Sequence, residues 1–479
     1  MNSEIEDQQK TKTGGRPAST GVIEGRYALS VGMPSNQQPI EGWKWTPLSS
    51  IARLESGHTP SRKHPEYWGG DIPWIGIRDA TGNHGLTLKK AQQHTNSLGI
   101  ANSSARVLPK HTVCLSRTAS VGYVVVMGCP MATSQDFVNW VCSDRLDYRY
   151  LKYILFCEHD SMLRFASGTT HQTIYFPEAK AFHVLIPSIG EQQRIADTLQ
   201  SLDDRITLLR ETNATLEAIA QALFKSWFVN FDPVHAKAEG LEPEGMDAGT
   251  AALFPDSFEE SNLGVVPRGW EVKPIGELVE GIYDGPHATP AESERGPIFL
   301  GIKNLTGTRL ELTDIRHISE DDWAKWTRRV EPTHGDIVFS YEATLGFFAV
   351  IPPEVRCCLG RRLALIRPHS ENGAGLFWFH QFISTPFQQM LDKHTIQGAT
   401  VNRIALKAFP SYLVLNPSET LKLAFNDVVE PLWATIHSNQ AQVKTLTQIR
   451  DTLLPRLISG QLRLPDTDAS IQHMVSEAV

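Results

Sequence analysis

The sequence predicts an α+β protein organised as an internal repeat. Two globules of mixed helix and strand, rich in strand, are separated by two long helices that form an antiparallel coiled coil with a pseudo-twofold axis. Residues recur at a constant offset of 230 positions, so that Leu216 and Leu223 correspond to Leu446 and Leu453. Two long segments carry apolar residues at heptad spacing. The segments that precede them contain short apolar runs bounded by glycine and proline, which is typical of strands.

At 479 residues, the chain is longer than a single hydrophobic core usually holds. The repeat predicts a flexible N-terminal tail (1–40), a first globule (41–189), a central helix (190–230), an acidic linker (231–267), a second globule (268–418), a distal helix (419–460) and a C-terminal tail (461–479). The N-terminal tail is polar and has no hydrophobic signal-peptide region. No apolar run approaches a membrane span, and six cysteines without a CxxC pair predict a reducing, cytoplasmic location.

Both globules are predicted from strand-length apolar runs between turn residues. The clearest runs are Thr112–Leu115, Gly122–Met127, Asp336–Phe339 and Phe347–Ile351. Two longer segments, Tyr148–Phe165 and Leu376–Leu391, predict internal helices.

The distribution of charge is more informative than the net charge of −8. Residues 231–265 contain eight acidic residues and one lysine, so the connector is strongly acidic. Residues 42–185 contain 15 Lys and Arg against 10 Asp and Glu, whereas residues 270–416 contain 15 against 17. The two globules are therefore basic to nearly neutral, and the net charge of the chain does not describe them.

The two long helices are predicted to pair along matching seams. The apolar positions of the first helix, from Ile195 to Trp227, alternate in steps of four and three residues. Antiparallel pairing of positions whose numbers sum to 652 places Ile195 opposite Leu457 and places the seam asparagines, Asn213 and Asn439, opposite each other. Two facing amides can hydrogen-bond and fix the register, whereas a slip by one heptad would place each against hydrocarbon. The alternative is that each helix packs on its own globule.

One charged residue falls on the predicted seam. Arg450 would face Leu202, and we expect its aliphatic stem to lie along the seam while its guanidinium reaches solvent.

Short motifs follow one another in a characteristic order over residues 41–460. They are Gly57-His58-Thr59-Pro60-Ser61, Glu66-Tyr67-Trp68, Asp71-Ile72-Pro73-Trp74-Ile75, Ser167-Gly168-Thr169-Thr170, Glu191-Gln192-Gln193-Arg194-Ile195, Leu202-Asp203-Asp204-Arg205-Ile206, Phe224-Lys225-Ser226-Trp227-Phe228 and Leu453-Leu454-Pro455-Arg456-Leu457. This series resembles the target recognition domain, the central conserved helix and the distal conserved helix of type I restriction–modification specificity subunits. The second helix entry, Pro417-Ser418-Glu419, departs from the pattern because it lacks the Glu-Gln-Gln-Arg run.

The resemblance implies a sequence-specific DNA-binding subunit. Each target recognition domain would read one half of a bipartite, asymmetric site on double-stranded DNA, and the helices would set the gap between the halves. A helix of about 38 residues spans roughly 57 Å, or about 17 base pairs of duplex. The helices would also dock two methyltransferase subunits and, through them, restriction subunits. Those partners would supply the S-adenosylmethionine, ATP and Mg²⁺ chemistry, so no cofactor is expected in this chain.

The chain contains no motif typical of a catalytic site of its own. The patterns GxxxxGK[ST], GxGxxG and HExxH are absent. Ile351-Pro352-Pro353-Glu354 has the prolines of an amino-methyltransferase motif without its amide or aromatic residue. The 17 histidines show no metal-ligand spacing. We therefore expect a non-catalytic subunit without a metal site.

Polar and basic residues at loops and strand ends are the candidate DNA contacts, because such side chains read base edges and phosphates. In the first globule they are Thr59, Ser61, Arg62, Lys63, Arg78, Ser116, Arg117, Thr118, Ser120, Thr169, Thr170, His171 and Gln172. In the second they are His287, Thr289, Lys303, Asn304, Tyr341, Glu342, Thr344, Gln397, Thr400, Asn402 and Arg403. Glu342 is suited to accept from a cytosine amino group. For each loop an ordinary solvated turn is the alternative, and Arg361-Arg362 is open between a phosphate contact and a solvated or salt-bridged strand face.

Two rival functions fit parts of the sequence. A scaffold with duplicated globules that bind proteins or glycans would have no salt-dependent affinity for DNA. An enzyme with an unrecognised methyltransferase or nuclease site would bind S-adenosylmethionine or cleave DNA on its own.

Overall fold

The computed structural model describes residues 21–34, 40–168, 172–369, 375–398 and 400–464, which belong to two compact units. The first unit extends to Ile206 and resumes at Thr445, and the second comprises Thr207–Lys444. Both boundaries fall inside long helices, so each unit contains one globule and a part of both helices.

The first unit combines many short strands with a few short helices. Its strands are β1 (Ile23–Glu24), β2 (Leu29–Val31), β3 (Lys44–Pro47), β4 (Ala52–Ser56), β5 (Trp68–Ile75), β6 (Thr87–Leu88), β7 (Gln93–Thr95), β8 (Val113–Ser116), β9 (Val124–Met127), β10 (Ala132–Thr133), β11 (Phe137–Cys142) and β12 (Phe182–Ile186). Its helices are α1 (Ile77–Gly82), α2 (Ser97–Ala101), α3 (Tyr148–Cys157), α4 (His159–Phe165), α5 (Phe176–Lys180) and the long α6 (Ile189–Phe228), which continues into the second unit.

The strands of the first unit form three sheets. A five-stranded sheet has the order β4-β11-β8-β9-β6, a three-stranded sheet has the order β10-β5-β7, and a four-stranded sheet has the order β1-β2-β12-β3. β8 and β9 are buried along their whole length, and their β-branched residues suit strands that are covered on both faces. One core that includes Trp140, Tyr150 and Phe182 also contains Ile195 and Leu199 of α6, so the globule and the start of the long helix share a core.

The predicted flexible tail over 1–40 does not fit residues 23–31. β2 pairs with β12 as an antiparallel strand, and all three of its residues are buried. The carboxylate of Glu158 accepts hydrogen bonds from the backbone N–H groups of Arg26, Tyr27 and Ala28 at 2.6–2.8 Å. The same glutamate lies between α3 and α4, where the single helix predicted over Tyr148–Phe165 is divided.

The second unit repeats this architecture. Its helices are α7 (Asp232–Ala238), α8 (Ala248–Ala252), α9 (Trp323–Trp326), α10 (Gly375–Ile383), α11 (Thr385–Lys393) and the long α12 (Glu419–Ile458). Its strands are β13 (Phe258–Ser261), β14 (Gly264–Pro267), β15 (Glu271–Pro274), β16 (Gly281–Asp284), β17 (Ser293–Leu300), β18 (Leu305–Thr306), β19 (Arg309–Leu310), β20 (Arg316–His317), β21 (Ile337–Ser340), β22 (Phe348–Val350), β23 (Cys357–Leu359), β24 (Leu363–Arg367), β25 (Thr395–Ile396), β26 (Arg403–Ile404) and β27 (Leu413–Asn416). The helix predicted over Leu376–Leu391 is divided at Ser384, just before a proline in the first turn of α11.

Two sheets of the first unit have counterparts with the same strand order in the second, apart from the additional edge strand β6. The sheet β16-β24-β21-β22 corresponds to β4-β11-β8-β9, and β20-β17-β23 corresponds to β7-β5-β10. In both three-stranded sheets one pair is parallel, β5 with β10 and β17 with β23, and the long strand carries a register shift. The internal repeat predicted from the sequence is therefore confirmed in the topology.

The acidic segment 231–267 is not an extended linker. It forms α7, α8 and the antiparallel hairpin β13–β14. Val234, Phe254 and Val266 are buried, and the first two belong to the main core of the second unit with Trp227 and Trp270. Its acidic residues are mostly exposed. Burial of its apolar residues stabilises the folded conformation of the segment.

Each long helix contributes to the core of both units. The segments predicted as helices over 190–230 and 419–460 are found as α6 and α12, and within the first unit Ile195 and Leu199 share a core with Leu454 and Leu457.

Among the described helices, none combines the length and the hydropathy that a membrane span requires.

Arg450 departs from its predicted placement. Its side chain is 17% exposed, and its guanidinium is not solvated alone but forms ion pairs with Asp203 of α6 at 3.0 Å and with Asp451 at 2.8 Å. It also lies 5.3 Å from the ring centre of Phe156. The aliphatic seam is thus interrupted by a paired charge.

The predicted register of the helix pair is confirmed at the seam asparagines in the second unit. Asn439 Nδ2 donates to Asn213 Oδ1 at 2.8 Å, and Asn213 Nδ2 donates to the carbonyl oxygen of Ile436 at 3.2 Å. Both asparagines are buried, so the two amides satisfy each other where water is largely excluded.

We expect the single substitution Asn213→Leu to lower the free energy of unfolding by about 1–3 kcal/mol, because it leaves the buried Asn439 amide without its side-chain partner. The double substitution of Asn213 and Asn439 by leucine should recover that loss, since no unsatisfied amide remains, while the register is less specified. Urea denaturation of the single, double and exposed-site Ala214→Leu variants measures this. Equal losses in the single and double variants would contradict it.

Candidate nucleic-acid interface

Three loops predicted from the sequence meet around one turn of the first unit. The turn is Ser134–Asp136, between β10 and β11, and its central residue Gln135 is exposed. The Thr59 hydroxyl bonds the Gln135 side-chain carbonyl, and Arg117 Nε donates to the Gln135 backbone oxygen at 3.1 Å. The Arg117 backbone carbonyl accepts from Ile174 N at 2.8 Å, which brings in the third loop.

The loop that contains residues 168–172 is anchored at both ends. Ser167 and Thr173 form an isolated β-bridge, and Thr173 Oγ1 lies 2.9 Å from Thr118 Oγ1. Gln172 is exposed beside this anchor. Thr169, Thr170 and His171 lie outside the described residues.

The basic residues of the first loop are exposed beside two tryptophans. Arg62 Cζ lies 3.6 Å from the ring centre of Trp68, and Arg62 Nη2 donates to Gln93 Oε1 at 2.5 Å. Ser61 and Lys63 flank it, and both are exposed. A guanidinium that is stacked on an aromatic ring is held in a defined orientation while its edge remains available for an anionic partner.

Arg78 and Ser120 also lie close to the same turn. β5 ends next to it, because Ser134 N donates to the carbonyl oxygen of Ile75 at 3.0 Å, and Arg78 is exposed on α1, which follows at once. The loop that contains Ser120 is held by bonds from its backbone to Ser116 and Thr118.

Ser116 is a correction to the predicted contacts. It is fully buried, its hydroxyl donates to the Ser120 carbonyl, and the same oxygen accepts from Tyr123 N at 2.9 Å. The hydroxyl closes its own loop and is not presented to a ligand.

The second unit builds the equivalent arrangement around the turn Gly360–Arg362. Gly360 N donates to the Leu300 carbonyl at 2.7 Å, as Ser134 N does to Ile75. Tyr341 N donates to the Arg362 carbonyl at 3.2 Å, as Arg117 N does to Asp136 at 2.7 Å. The loop residues Ala119 and Ala343 both have a positive φ, of 65° and 68°. The two turns and the loops beside them are therefore structurally equivalent, with different side chains. We call the loops around Ser134–Asp136 the first face and the loops around Gly360–Arg362 the second face.

Asp284 organises the polar residues of the second face. Tyr341 donates its hydroxyl to Asp284 Oδ1 at 2.8 Å, and His287 Nε2 and Arg329 Nη1 lie 2.8 Å and 3.3 Å from Asp284 Oδ2. Burial and the hydrogen bond to Asp284 raise the pKa of Tyr341. The phenol is thus a neutral, fixed group that stands where the first unit has the cation Arg117.

Some of the remaining loop residues of the second unit are held by ion pairs or hydrogen bonds, and others are exposed. Glu342 is ion-paired with Arg362 at 3.3 Å, so its carboxylate is not free to receive a base without giving up that pair. Ala343 N donates to the Asn402 carbonyl at 3.1 Å, which joins the 341–344 and 397–403 loops. The exposed predicted residues on these two loops are Thr344, Gln397, Thr400 and Arg403, and Thr289 is exposed on the loop after β16.

Asn304 and Lys303 do not present free groups. Asn304 is buried, accepts from Gly301 N at 3.0 Å and donates to the carbonyl oxygens of Glu311 and Asp314 at 3.0 Å, so the predicted DNA contact does not fit it. Lys303 is exposed but forms an ion pair with Asp314 at 2.6 Å.

Gln135 and Arg329 are not among the contacts predicted from the sequence, and Arg361 is open there between a phosphate contact and a strand face. The structure places all three in these loop clusters. Arg329 donates to the carbonyl oxygens of Asp284 and Gly285 at 3.1 Å. Gln135 and Arg361 precede a buried strand in each copy, in Ser134-Gln135-Asp136-Phe137 and Gly360-Arg361-Arg362-Leu363. That shared position is the sequence signal for them. In the described part of the chain, no cluster of His, Cys, Asp and Glu is arranged to hold a metal ion.

Comparison with known proteins agrees with this geometry. Residues 40–218 match a family model described as the type I restriction modification DNA specificity domain. The type I restriction enzyme MjaIX specificity subunit of Methanocaldococcus jannaschii is 28% identical over 432 residues, which cover 88% of this chain and 94% of that protein. The HindI specificity subunit of Haemophilus influenzae is 28% identical over 348 residues, covering 64% of this chain and 74% of that protein.

A solved structure has the same fold. The type I restriction–modification system S subunit from M. genitalium has a TM-score of 0.53 at 17% identity, over 89% of this chain and 96% of that chain. The internal repeat and the paired helices described above agree with these matches, which cover most of the chain. Residues 40–218 thus match the type I restriction modification DNA specificity domain, and the chain is similar over most of its length to a type I restriction enzyme specificity subunit.

Proposed function

We propose that this chain is the non-catalytic DNA-reading subunit of a type I restriction–modification complex, and that each unit contacts one half of a bipartite, asymmetric DNA target. The main support is that two structurally equivalent turns, Ser134–Asp136 and Gly360–Arg362, contact equivalent loops but present different polar side chains. Equivalent scaffolds supply two binding faces of one kind, and different side chains supply two different base preferences.

The paired helices α6 and α12 are proposed to set the unspecified gap between the two half-sites. Apart from the ion pair between Arg450 and Asp203, apolar core residues of both helices flank the Asn213–Asn439 pair, which supports one fixed register. A helix pair with one register is stiff, so its length can define a distance.

The catalytic chemistry is proposed to belong to partner subunits. Two methyltransferase subunits would dock on this chain, restriction subunits would join through them, and these partners would hold S-adenosylmethionine, ATP and Mg²⁺. The family resemblance supports this division of labour, and no residue of this chain is assigned a chemical step.

The decisive experiment is to express the chain with its methyltransferase partner in a host without a type I system and to map methylated positions in the genomic DNA. One bipartite motif with a gap of constant length is the expected result. Absence of any motif, together with salt-independent or undetectable DNA affinity of the purified complex, would favour the protein- or glycan-binding scaffold. S-adenosylmethionine binding or DNA cleavage by the isolated chain would instead indicate an enzyme.

Lys63→Ala is expected to weaken DNA binding about equally for all sequences. Lys63 is exposed at the edge of the first face and, among the described residues, has no ion-pair partner, so it is suited to a phosphate. The slope of log K against log salt should fall by about 0.9 for one lost phosphate contact. Fluorescence anisotropy of the purified complex at several salt concentrations measures the slope. Lys44→Ala, at an exposed position on β3, is the matched control, and an equal change in both variants would contradict the assignment.

A further inference from the structure

The matched turns of the two units each expose one long polar side chain. Gln135 and Arg361 directly follow Ser134 and Gly360, whose backbone N–H groups make equivalent bonds to the preceding sheet. Both side chains are exposed, whereas the residues that follow them, Asp136 and Arg362, are partly buried. The same backbone position therefore carries an amide in one unit and a guanidinium in the other.

We propose that Gln135 and Arg361 are specificity-determining residues of the two faces, and that Gln135 reads an adenine while Arg361 reads a guanine, each at the major-groove edge. This inference rests on the proposed function and adds to it the base class at one position of each half-site.

The Gln135 side chain is oriented for a two-point contact. A carboxamide that pairs with adenine donates from its nitrogen to N7 and accepts at its oxygen from the N6 amino group. The Thr59 hydroxyl occupies one acceptor position of Gln135 Oε1 and so orients the amide. A carbonyl oxygen has a second acceptor position, and Nε2 has no partner among the described residues, so both groups that adenine requires remain available.

Arg361 differs from Arg362 and Arg329 of the same face in being unpaired. Arg362 is ion-paired with Glu342 at 3.3 Å, and Arg329 lies 3.3 Å from a carboxylate oxygen of Asp284. In the described part of the chain, the Arg361 side chain has no hydrogen-bond or ion-pair partner. Two parallel donors of a free guanidinium match O6 and N7 of guanine.

The backbone beneath both side chains is held from several directions. Arg117 bonds the Gln135 carbonyl from its side chain and the Asp136 carbonyl from its backbone. In the second unit, Tyr341 N bonds the Arg362 carbonyl, and Leu363 N donates to Gly360 O at 3.4 Å. A reading side chain on a fixed turn loses less conformational freedom on binding than one on a free loop.

The test uses the complex with its methyltransferase partner, and the variants are Gln135→Ala, Arg361→Ala and Arg361→Lys. Mapping of methylated genomic positions should show that Gln135→Ala makes one adenine of one half-site degenerate, with at least about a tenfold loss of discrimination there. Arg361→Ala should make one guanine of the other half-site degenerate, and Arg361→Lys should weaken the preference for that guanine. Arg361→Lys keeps the positive charge, so it should keep DNA affinity and separate base reading from phosphate contact.

Gln221→Ala and Arg268→Ala, at exposed positions of α6 and after the β13–β14 hairpin, are the matched controls and should leave the motif unchanged. An unaltered bipartite motif in the Gln135 and Arg361 variants would overturn this inference and leave the proposed function intact. Loss of specificity at a base other than adenine or guanine would also overturn it. Absence of a bipartite motif in the unmodified complex would instead refute the proposed function.

Discussion

Removal of one facing heptad from each long helix, residues 206–212 and 440–446, is expected to shorten the gap in the DNA target while both half-sites stay the same. Each deletion removes two helical turns, about 10.5 Å, which equals about three base pairs at roughly 3.4 Å each. The deleted segments face each other in the register that pairs Asn213 with Asn439, so this pair is retained. The apolar residues on either side of the deletions meet again along one seam, because seven residues restore the same helix face.

Mapping of methylated genomic positions measures both the half-sites and the gap in one experiment. A variant with exposed alanines in the same segment, Arg210→Ala with Glu211→Ala, keeps the helix length and should keep the native gap. Deletion of 206–212 alone places the two seams out of register and should abolish activity. Continued methylation of the native target by the double-deletion variant would show that the helices do not set the gap.

The long helices could be predicted from the sequence because their information is local and periodic. The heptad steps from Ile195 to Trp227 define a face, and the two seam asparagines define a register that is found in the Asn439–Asn213 hydrogen bond. The strand β2 could not be predicted in the same way. It pairs with β12, which lies about 150 residues further along, and its approach is held by Glu158, so a polar segment read alone gives no sign of it.

The acidic segment 231–267 illustrates the same limit. Its composition is that of a solvated connector, yet its apolar residues Val234 and Phe254 pack into a core that is built mostly from other segments.

Loop positions of the site followed from the repeat, but side-chain directions did not. Arg117 and Tyr341, each a candidate contact from the sequence, occupy equivalent loops. Ser116 and Asn304 have side chains suited to DNA, but both are turned inward to satisfy neighbouring backbone groups. The choice between those two directions depends on which backbone groups lack a partner, and that is a property of the folded loop.

A buried ionic cluster joins three helices of the first unit. Asp203 Oδ2 of α6 accepts from the Tyr153 hydroxyl at 2.7 Å and lies 3.4 Å from Lys152 Nζ, while Oδ1 lies 3.0 Å from Arg450 Nη1. The Lys152 side chain is 3% exposed. Burial lowers the pKa of Lys152, and the negative charge of Asp203 opposes that shift. One carboxylate on the central helix therefore neutralises cations from the globule and from the distal helix.

Asp203→Ala is accordingly expected to lower the free energy of unfolding by about 3–5 kcal/mol, because it leaves two cations without the carboxylate that they share. Asp204→Ala, at the exposed neighbouring position, is the matched control and should change it by less than about 0.5 kcal/mol. Joint replacement of Asp203, Lys152 and Arg450 by leucine, methionine and leucine should recover most of the loss, since apolar side chains of similar volume often replace a buried ionic group without net cost. Urea denaturation of the three variants and the parent chain measures these differences. A loss in Asp203→Ala no larger than in Asp204→Ala, or no recovery in the triple variant, would show that the cluster is not what couples the globule to the helix pair.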